Sequence, residues 1–323
     1  MGFETVFQQS GTFFKGNLHT HSTRSDGKWE PEAVVNAYRE RGYDFLSLTD
    51  HFLPARHFGK DSDHFITVTD TSAFNTPDFL TIHGAELHAP SLVTGDLWHM
   101  VAVGLPLDFA PLGPDEQGID ITRRAWEAGA FIGIAHPAWY ALTVEETLPL
   151  VPYSHAIEIY NHGSLDVDRP ESWHFAEQMY ARGIRLGAYA SDDAHFNDPR
   201  GDLADVAGGW VHVKADALDE ASVLAALKAG HYYASTGPQI EDLSFDGEVL
   251  RVTTSPIDQY IVSGPGARFS RKYLPGQTTA EFPIHKPDGS RYPWAQHNYF
   301  RLTAVVDAGG RAWSNPIWLD DLA

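Results

Sequence analysis

His19 and His21 stand two residues apart at the end of an apolar run, Phe14 to His19, that reads as a β-strand. Alternate residues of a strand face the same way, so both imidazoles can reach one ion. Alone, such a pair is more often an ordinary polar strand end. Asp26 follows in Ser25-Asp26-Gly27, a turn sequence whose default role is backbone capping, and the next apolar run, Phe45 to Thr49, stops at Asp50 and His51. Glu86 closes a third run, His99 stands at the start of a fourth, His136 precedes Pro137, and Asp193 with His195 follows Leu186 to Ala190. Ionisable groups that terminate strand after strand would form a costly unsolvated cluster unless they share a partner. A metal cluster is that partner. The chain has no cysteine, so the donors are nitrogen and oxygen, a set that suits zinc, manganese or iron(II).

The elements that must carry these residues follow from the alternation of short apolar runs with amphipathic stretches up to about residue 230, which favours a mainly parallel α/β sheet or barrel. Further strands are expected at Phe79 to Glu86, Trp98 to Gly104, Phe131 to His136, Ala156 to Tyr160 and Trp210 to Val213, and helices at Pro31 to Arg41, Ile119 to Ala128, Arg169 to Arg182 and Leu218 to Ala229. Pro31 near the start and Gly42 past the end of the first helix are the expected asymmetry. Phe52 to Asp78 reads as a long loop, a lid or substrate wall if ordered. After Gly230 the texture turns to short β-type runs without helical period, which divides the chain into 1–237, holding the site, and 238–323, a small β-rich domain.

With 323 residues and 43% hydrophobic content the chain can bury a large core, and its formal charge of −20 argues against bulk nucleic-acid binding. No basic start with an apolar core and no span of bilayer length is present, so a cytoplasmic protein without a membrane partner is expected. No serine-elbow motif or phosphate-cradling glycine loop supports nucleophilic serine or nucleoside-triphosphate chemistry.

The motifs Asn17-Leu18-His19-Thr20-His21-Ser22, Ser25-Asp26-Gly27, Leu48-Thr49-Asp50-His51, Gly84-Ala85-Glu86-Leu87, Ala135-His136-Pro137 and Ser191-Asp192-Asp193-Ala194-His195 resemble the successive motifs of the polymerase-and-histidinol-phosphatase (PHP) superfamily. The resemblance covers residue 15 to about 240 and implies a distorted seven-stranded (β/α) barrel with metals at the C-terminal ends of its strands. Tyr232 to Pro238 and Ala312 to Trp318 resemble the branch that includes carbaryl-type carbamate hydrolases. Carried over by position, the resemblance implies two or three divalent ions: one on His19, His21, Glu86 and Asp193, a second on Asp26, His51 and His195, and a third sharing Glu86 with His99 and His136. Many relatives have histidine where this chain has Asp26. Asp192 would sit outside the ligand set, and Asp50 would orient a neighbouring imidazole.

Six neutral imidazoles, three carboxylates and three divalent ions would leave a positive site, which favours a small anionic substrate. The expected reaction is hydrolysis of a small phosphate ester by a metal-bridging hydroxide, with Glu86, Asp193 and His195 next to it. The same site fits attack on a carbamate, ester or amide carbonyl. Glu158, Asn161 and His162 end another strand and either position substrate, His162 donating a proton to the leaving group, or serve local structure. Arg24 and Arg200 flank metal motifs as a phosphate clamp or as surface residues. Trp29, Trp98 and Trp139 are pocket walls or packing. The remaining histidines, His57, His64, His83, His88, His155, His174, His212, His231, His285 and His297, read as structural or exposed, although His88 shares a strand face with Glu86. Two rival readings are a non-catalytic metal-stabilised binding module, which the intact ligand set opposes, and an amidohydrolase barrel, which lacks a bridging lysine here.

Overall fold

The computed structural model describes residues 5–53, 66–90, 97–113 and 115–322. His57 and His64, with residues 54–65 of the long loop expected at Phe52 to Asp78, lie outside them. The strands of the first part are β1 (Thr12–Asn17), β2 (Phe45–Leu48), β3 (His51–Phe52), β4 (Leu80–Pro90), β5 (Leu97–Val103), β6 (Phe131–Ile134), β7 (Ala156–Asn161), β8 (Gly187–Ser191) and β9 (Trp210–Ala215). The helices are α1 (Pro31–Arg39), α2 (Gly118–Glu127), α3 (Val144–Thr147), α4 (Trp173–Ala181) and α5 (Glu220–Ala229). In α1, Pro31 sets the first turn, and Pro31, Val34, Val35 and Tyr38 recur at helical spacing on the buried face. Asp219 caps α5 by accepting from the Ser222 N–H, and Gly230, with φ +75°, ends it in the left-handed conformation that glycine adopts without penalty.

A mixed sheet results, rather than the mainly parallel one expected. β1, β2 and β4 are parallel neighbours, as are β6, β7 and β8. Between the two sets β5 runs antiparallel to both β4 and β6. Only residues 91–96 separate β4 from β5, too few for the roughly dozen-residue crossover that a parallel pair requires. Past the ends of β1 and β8 the His21 N–H donates to the Ala194 carbonyl and the Asp193 N–H to that of His19, so the segment after β8, the last strand of the sheet path, comes back against the segment after β1.

On the other side of β1 the sheet runs without a break through β9 into the C-terminal residues. These form β10 (Tyr232–Ser235), β11 (Ile240–Phe245), β12 (Val249–Ser263), β13 (Phe269–Pro283), β14 (Tyr299–Val305), β15 (Arg311–Ser314) and β16 (Ile317–Trp318). β10 pairs with β9 on one edge and β15 on the other, which makes one 16-stranded sheet. Phe45, Ile82, Val101, Phe131, Tyr189 and Val213 pack in one apolar cluster, while Leu243, Leu250, Tyr260, Trp294, Phe300 and Leu302 form a separate one in the C-terminal part.

Candidate metal centre

The site collects where β1, β6 and β8 stop and along the facing residues of β3, β4 and β5. His19 and His21 follow β1, and the Asn17 side chain fixes that exit by accepting from the His19 N–H at 3.0 Å and donating to the Gly209 carbonyl. His51 in β3 is in parallel register with Glu86 in β4. Glu86 does not close its strand as expected: β4 continues to Pro90, and its antiparallel register with β5 sets His88 opposite His99. His136 and Asp193 follow β6 and β8 with φ of +25° and +55°, the sparsely populated region in which non-glycine residues gather at functional sites.

All nine expected donors meet there. Glu86 Oε1 lies 2.9 Å from His99 Nδ1 and 3.1 Å from His136 Nε2. Its Oε2 lies 2.7 Å from His51 Nδ1, 3.6 Å from His19 Nε2 and 3.7 Å from His21 Nε2. Asp193 Oδ1 is 2.9 Å from His21 Nε2 and 3.3 Å from His19 Nε2. At the rim, Asp26 faces Nε2 of both His51 and His195 at 3.3 Å. Donor atoms mutually within 4.8 Å fall into sets that include His19–His21–Glu86, His21–Asp26–His51–His195 and Glu86–His99–His136.

Burial alone would raise the Glu86 carboxyl, but the imidazoles of His88, His51, His99 and His19 hold it well below the ordinary carboxylate range. Burial likewise opposes ionisation of Asp193 and Asp26, and surrounding histidines hold both down. The carboxylates return the effect: against burial, Glu86 and Asp26 lift His51 to about 10, and Asp26 and Asp193 lift His195 to about 9. Protons and cations therefore compete for these nitrogens.

His19 has the surroundings of a metal ligand. Its ring is fully buried, Nδ1 lies 3.2 Å from Glu158 Oε1, and Nε2, aimed at Glu86 and Asp193, has no hydrogen-bond partner. A carboxylate holding one imidazole nitrogen while the other is left free toward the cluster is the arrangement of a metal-ligating histidine.

Glu158 is thus a buried support for His19, not a substrate contact. Its Oε2 also accepts from the His136 N–H at 2.7 Å and from Asn161 Nδ2 at 3.0 Å, and Ser191 Oγ donates to its Oε1. Asn161 donates from Nδ2 to Asp193 Oδ2 at 3.1 Å as well. The His162 ring turns away, toward the Tyr160 hydroxyl and the Ala204 carbonyl, which removes it as the proton donor expected at the reaction. Arg200 is exposed and holds Asp198 through Nε and a terminal nitrogen, and Arg24 pairs loosely with Glu30, so these two arginines do not converge on the cluster. Asp50 accepts from the Ser22 N–H and the Ser25 and Thr69 hydroxyls rather than touching an imidazole. Asp192 accepts from the N–H groups of Ala207, Gly208 and Gly209 and from Tyr38, which stabilises the loop after β8.

A cleft of about 380 Å³ opens on the donors, walled by Trp139, Gly163, Ser164, Asp166 and the Asn197–Pro199 turn. Trp98 is wholly buried and Trp29 stacks on Phe196, so of the three tryptophans only Trp139 borders the cleft. His88, read from the sequence as structural, lies inside the cluster with Nε2 3.1 Å from Glu86 Oε2. The signal was its i+2 spacing from Glu86 on one strand.

No protein-family model matches the chain, and a search of curated proteins returns no match. Among solved structures, a two-domain protein from Bacteroides vulgatus ATCC 8482 containing a predicted PHP-like metal-dependent phosphoesterase aligns over 95% of this chain and 96% of its own, with a TM-score of 0.54 and 18% identity. That likeness is one of fold, and it extends over both parts of the chain. A putative metal-dependent phosphoesterase from Bifidobacterium adolescentis (TM-score 0.37, 14% identity) and an amidohydrolase from Chromobacterium violaceum (TM-score 0.38, 18% identity) each cover 56% of this chain and 87% of their own.

Proposed function

We propose that the chain is a metal-dependent hydrolase of small phosphate esters, built on a PHP-type fold in which β1, β2 and β4–β8 form the distorted seven-stranded barrel and residues 238–323 a β-rich C-terminal domain. One observation carries the reading: Glu86 is buried with each carboxylate oxygen turned to a different set of imidazoles, beside the unpartnered Nε2 of His19. Divalent manganese, zinc or iron bound there would act as a Lewis acid and lower the pKa of water from about 15.7 to about 7.

The chain's own part is to hold and orient. Glu86, Asp193 and His195 border both the cluster and the cleft and are the residues nearest the reaction. Glu158 keeps His19 in the tautomer with its proton on Nδ1, and Asn161 fixes Asp193. A cleft of about 380 Å³ supports a small-molecule substrate. With neither arginine on its walls, neutralisation of a phosphate would fall, among the described residues, to the metal site.

That same lack of a lysine or arginine among the described wall residues favours, as a second reading, attack on the carbonyl of a carbamate, ester or amide. Nitrophenol release by manganese-loaded protein from matched nitrophenyl phosphate and nitrophenyl methylcarbamate separates the two. Chelator-sensitive turnover of the phosphate supports the phosphoesterase, and preference for the carbamate overturns it.

A further inference from the structure

His88 has no place in the nine-residue donor set, yet its geometry matches that of the members. Glu86 and His88 leave the same face of β4, and the His88 and His99 rings lie 4.1 Å apart across the β4–β5 pair. His88 Nε2 is 2.8 Å from His51 Nδ1 and 3.1 Å from Glu86 Oε2, and His51 Nδ1 is 2.7 Å from that same oxygen. Three donor atoms therefore converge on one point. An ion bonded to nitrogen at about 2.0–2.1 Å in tetrahedral geometry separates its donors by about 3.3 Å; the 3.1 Å edge is close to that, and the 2.8 and 2.7 Å edges have to open to reach it.

Two ring nitrogens 2.8 Å apart repel through their lone pairs unless a proton or a cation lies between them. The remaining nitrogen of His88, Nδ1, is buried and has no hydrogen-bond partner. His136 has the same signature, with Nε2 on Glu86 Oε1 and Nδ1 buried and unpartnered. His51 presents its other nitrogen, Nε2, to Asp26; with Nδ1 on a cation, the neutral ring keeps its proton on Nε2 and donates it to Asp26 instead of binding a second ion.

Resting on the reading of the cluster as a metal centre, we propose that His88 is a tenth donor, its Nε2 joining Glu86 Oε2 and His51 Nδ1 to hold a divalent cation apart from the His99–His136 side. Glu86 then uses its two oxygens for different cation positions.

Cobalt(II) titration of the full-length chain tests this, read by bound cobalt per chain after gel filtration and by visible absorption, which reports the coordination of the ion. His88→Ala should bind one equivalent less than the unsubstituted protein at saturating cobalt, with a changed spectrum and an unchanged far-ultraviolet circular dichroism spectrum. His88→Asn, of similar polarity, serves as the second variant if alanine impairs folding. Unaltered stoichiometry and spectrum at saturation, whatever the change in affinity, would overturn the tenth donor while leaving the metal centre intact. An unsubstituted protein that takes up no cobalt would overturn both.

Discussion

The two ends of the sheet solve opposite problems. Around β1–β8 the interior buries His19, His21, Glu86, Glu158 and Asp192, whereas the interior between β11, β12 and β14 is built from Leu243, Leu250, Tyr260, Phe300 and Leu302. Burying ionisable groups costs free energy unless hydrogen bonds or a cation compensate, while burying aliphatic and aromatic side chains is itself the driving force. The site-bearing end therefore carries a costly polar cluster in addition to its own apolar packing, while the other end rests on apolar packing. The C-terminal part also meets the site-bearing part through polar pairing: Arg301 reaches Glu177 of α4 at 2.6 Å, with its guanidinium over the Trp173 ring.

The contrast is broken most severely at Glu86. Glu86→Ala removes the carboxylate shared by both sets of imidazoles, and the variant should lose most of its bound metal and at least ~1,000-fold of its turnover, measured by elemental analysis and nitrophenol release. Retention of full metal content would dissolve the distinction between the two regions.

At the apolar end, Phe300→Ala empties a fully buried ring position and should cost about 3–5 kcal/mol in urea denaturation. The folded fraction should keep its metal content. Loss of metal in step with stability would show that the two ends fold and bind as a unit.

A smaller effect lies at His212 on β9, where the Trp210 indole N–H donates to Nε2 and burial, aided by nearby Lys15, pushes the imidazole down to about 4. The folded protein therefore refuses a proton that the unfolded chain accepts at about 6.5. Stability from this group is complete above that pH and is lost as pH falls toward 4, a change on the order of 3 kcal/mol. Denaturation of chelated protein across that window should show a shallower pH slope for His212→Phe than for the unsubstituted chain. Equal slopes would assign the acid sensitivity to the metal-site end alone.

The smallest effect is expected at Arg200, which is exposed and engaged with Asp198. Arg200→Ala should change KM for nitrophenyl phosphate less than about 2-fold; an increase of 10-fold or more would favour the phosphate-clamp reading of Arg200 over the surface one.

Much of the site was legible because its signals are local. Period-two spacing put His19 and His21 on one face, positions at or just past strand ends announced His51, His136, Asp193 and His195, a turn sequence carried Asp26, and Pro31 and Gly42 marked the ends of the first helix through their own backbone preferences. Strand extent was less legible, because nothing in Gly84–Leu87 announces that β4 continues to Pro90.

By itself, then, the sequence determined that a nitrogen-and-oxygen donor set would gather at strand ends in an α/β framework with a β-rich continuation, since donor chemistry and strand or helix period are properties of short segments. The tertiary structure decided the antiparallel insertion of β5, the entry of His88 into the cluster, the turn of His162 toward Ala204 and the capture of Arg200 by Asp198. These depend on which strands pair and which partner a side chain meets first, and those choices are made between residues far apart along the chain or by the local direction of a loop.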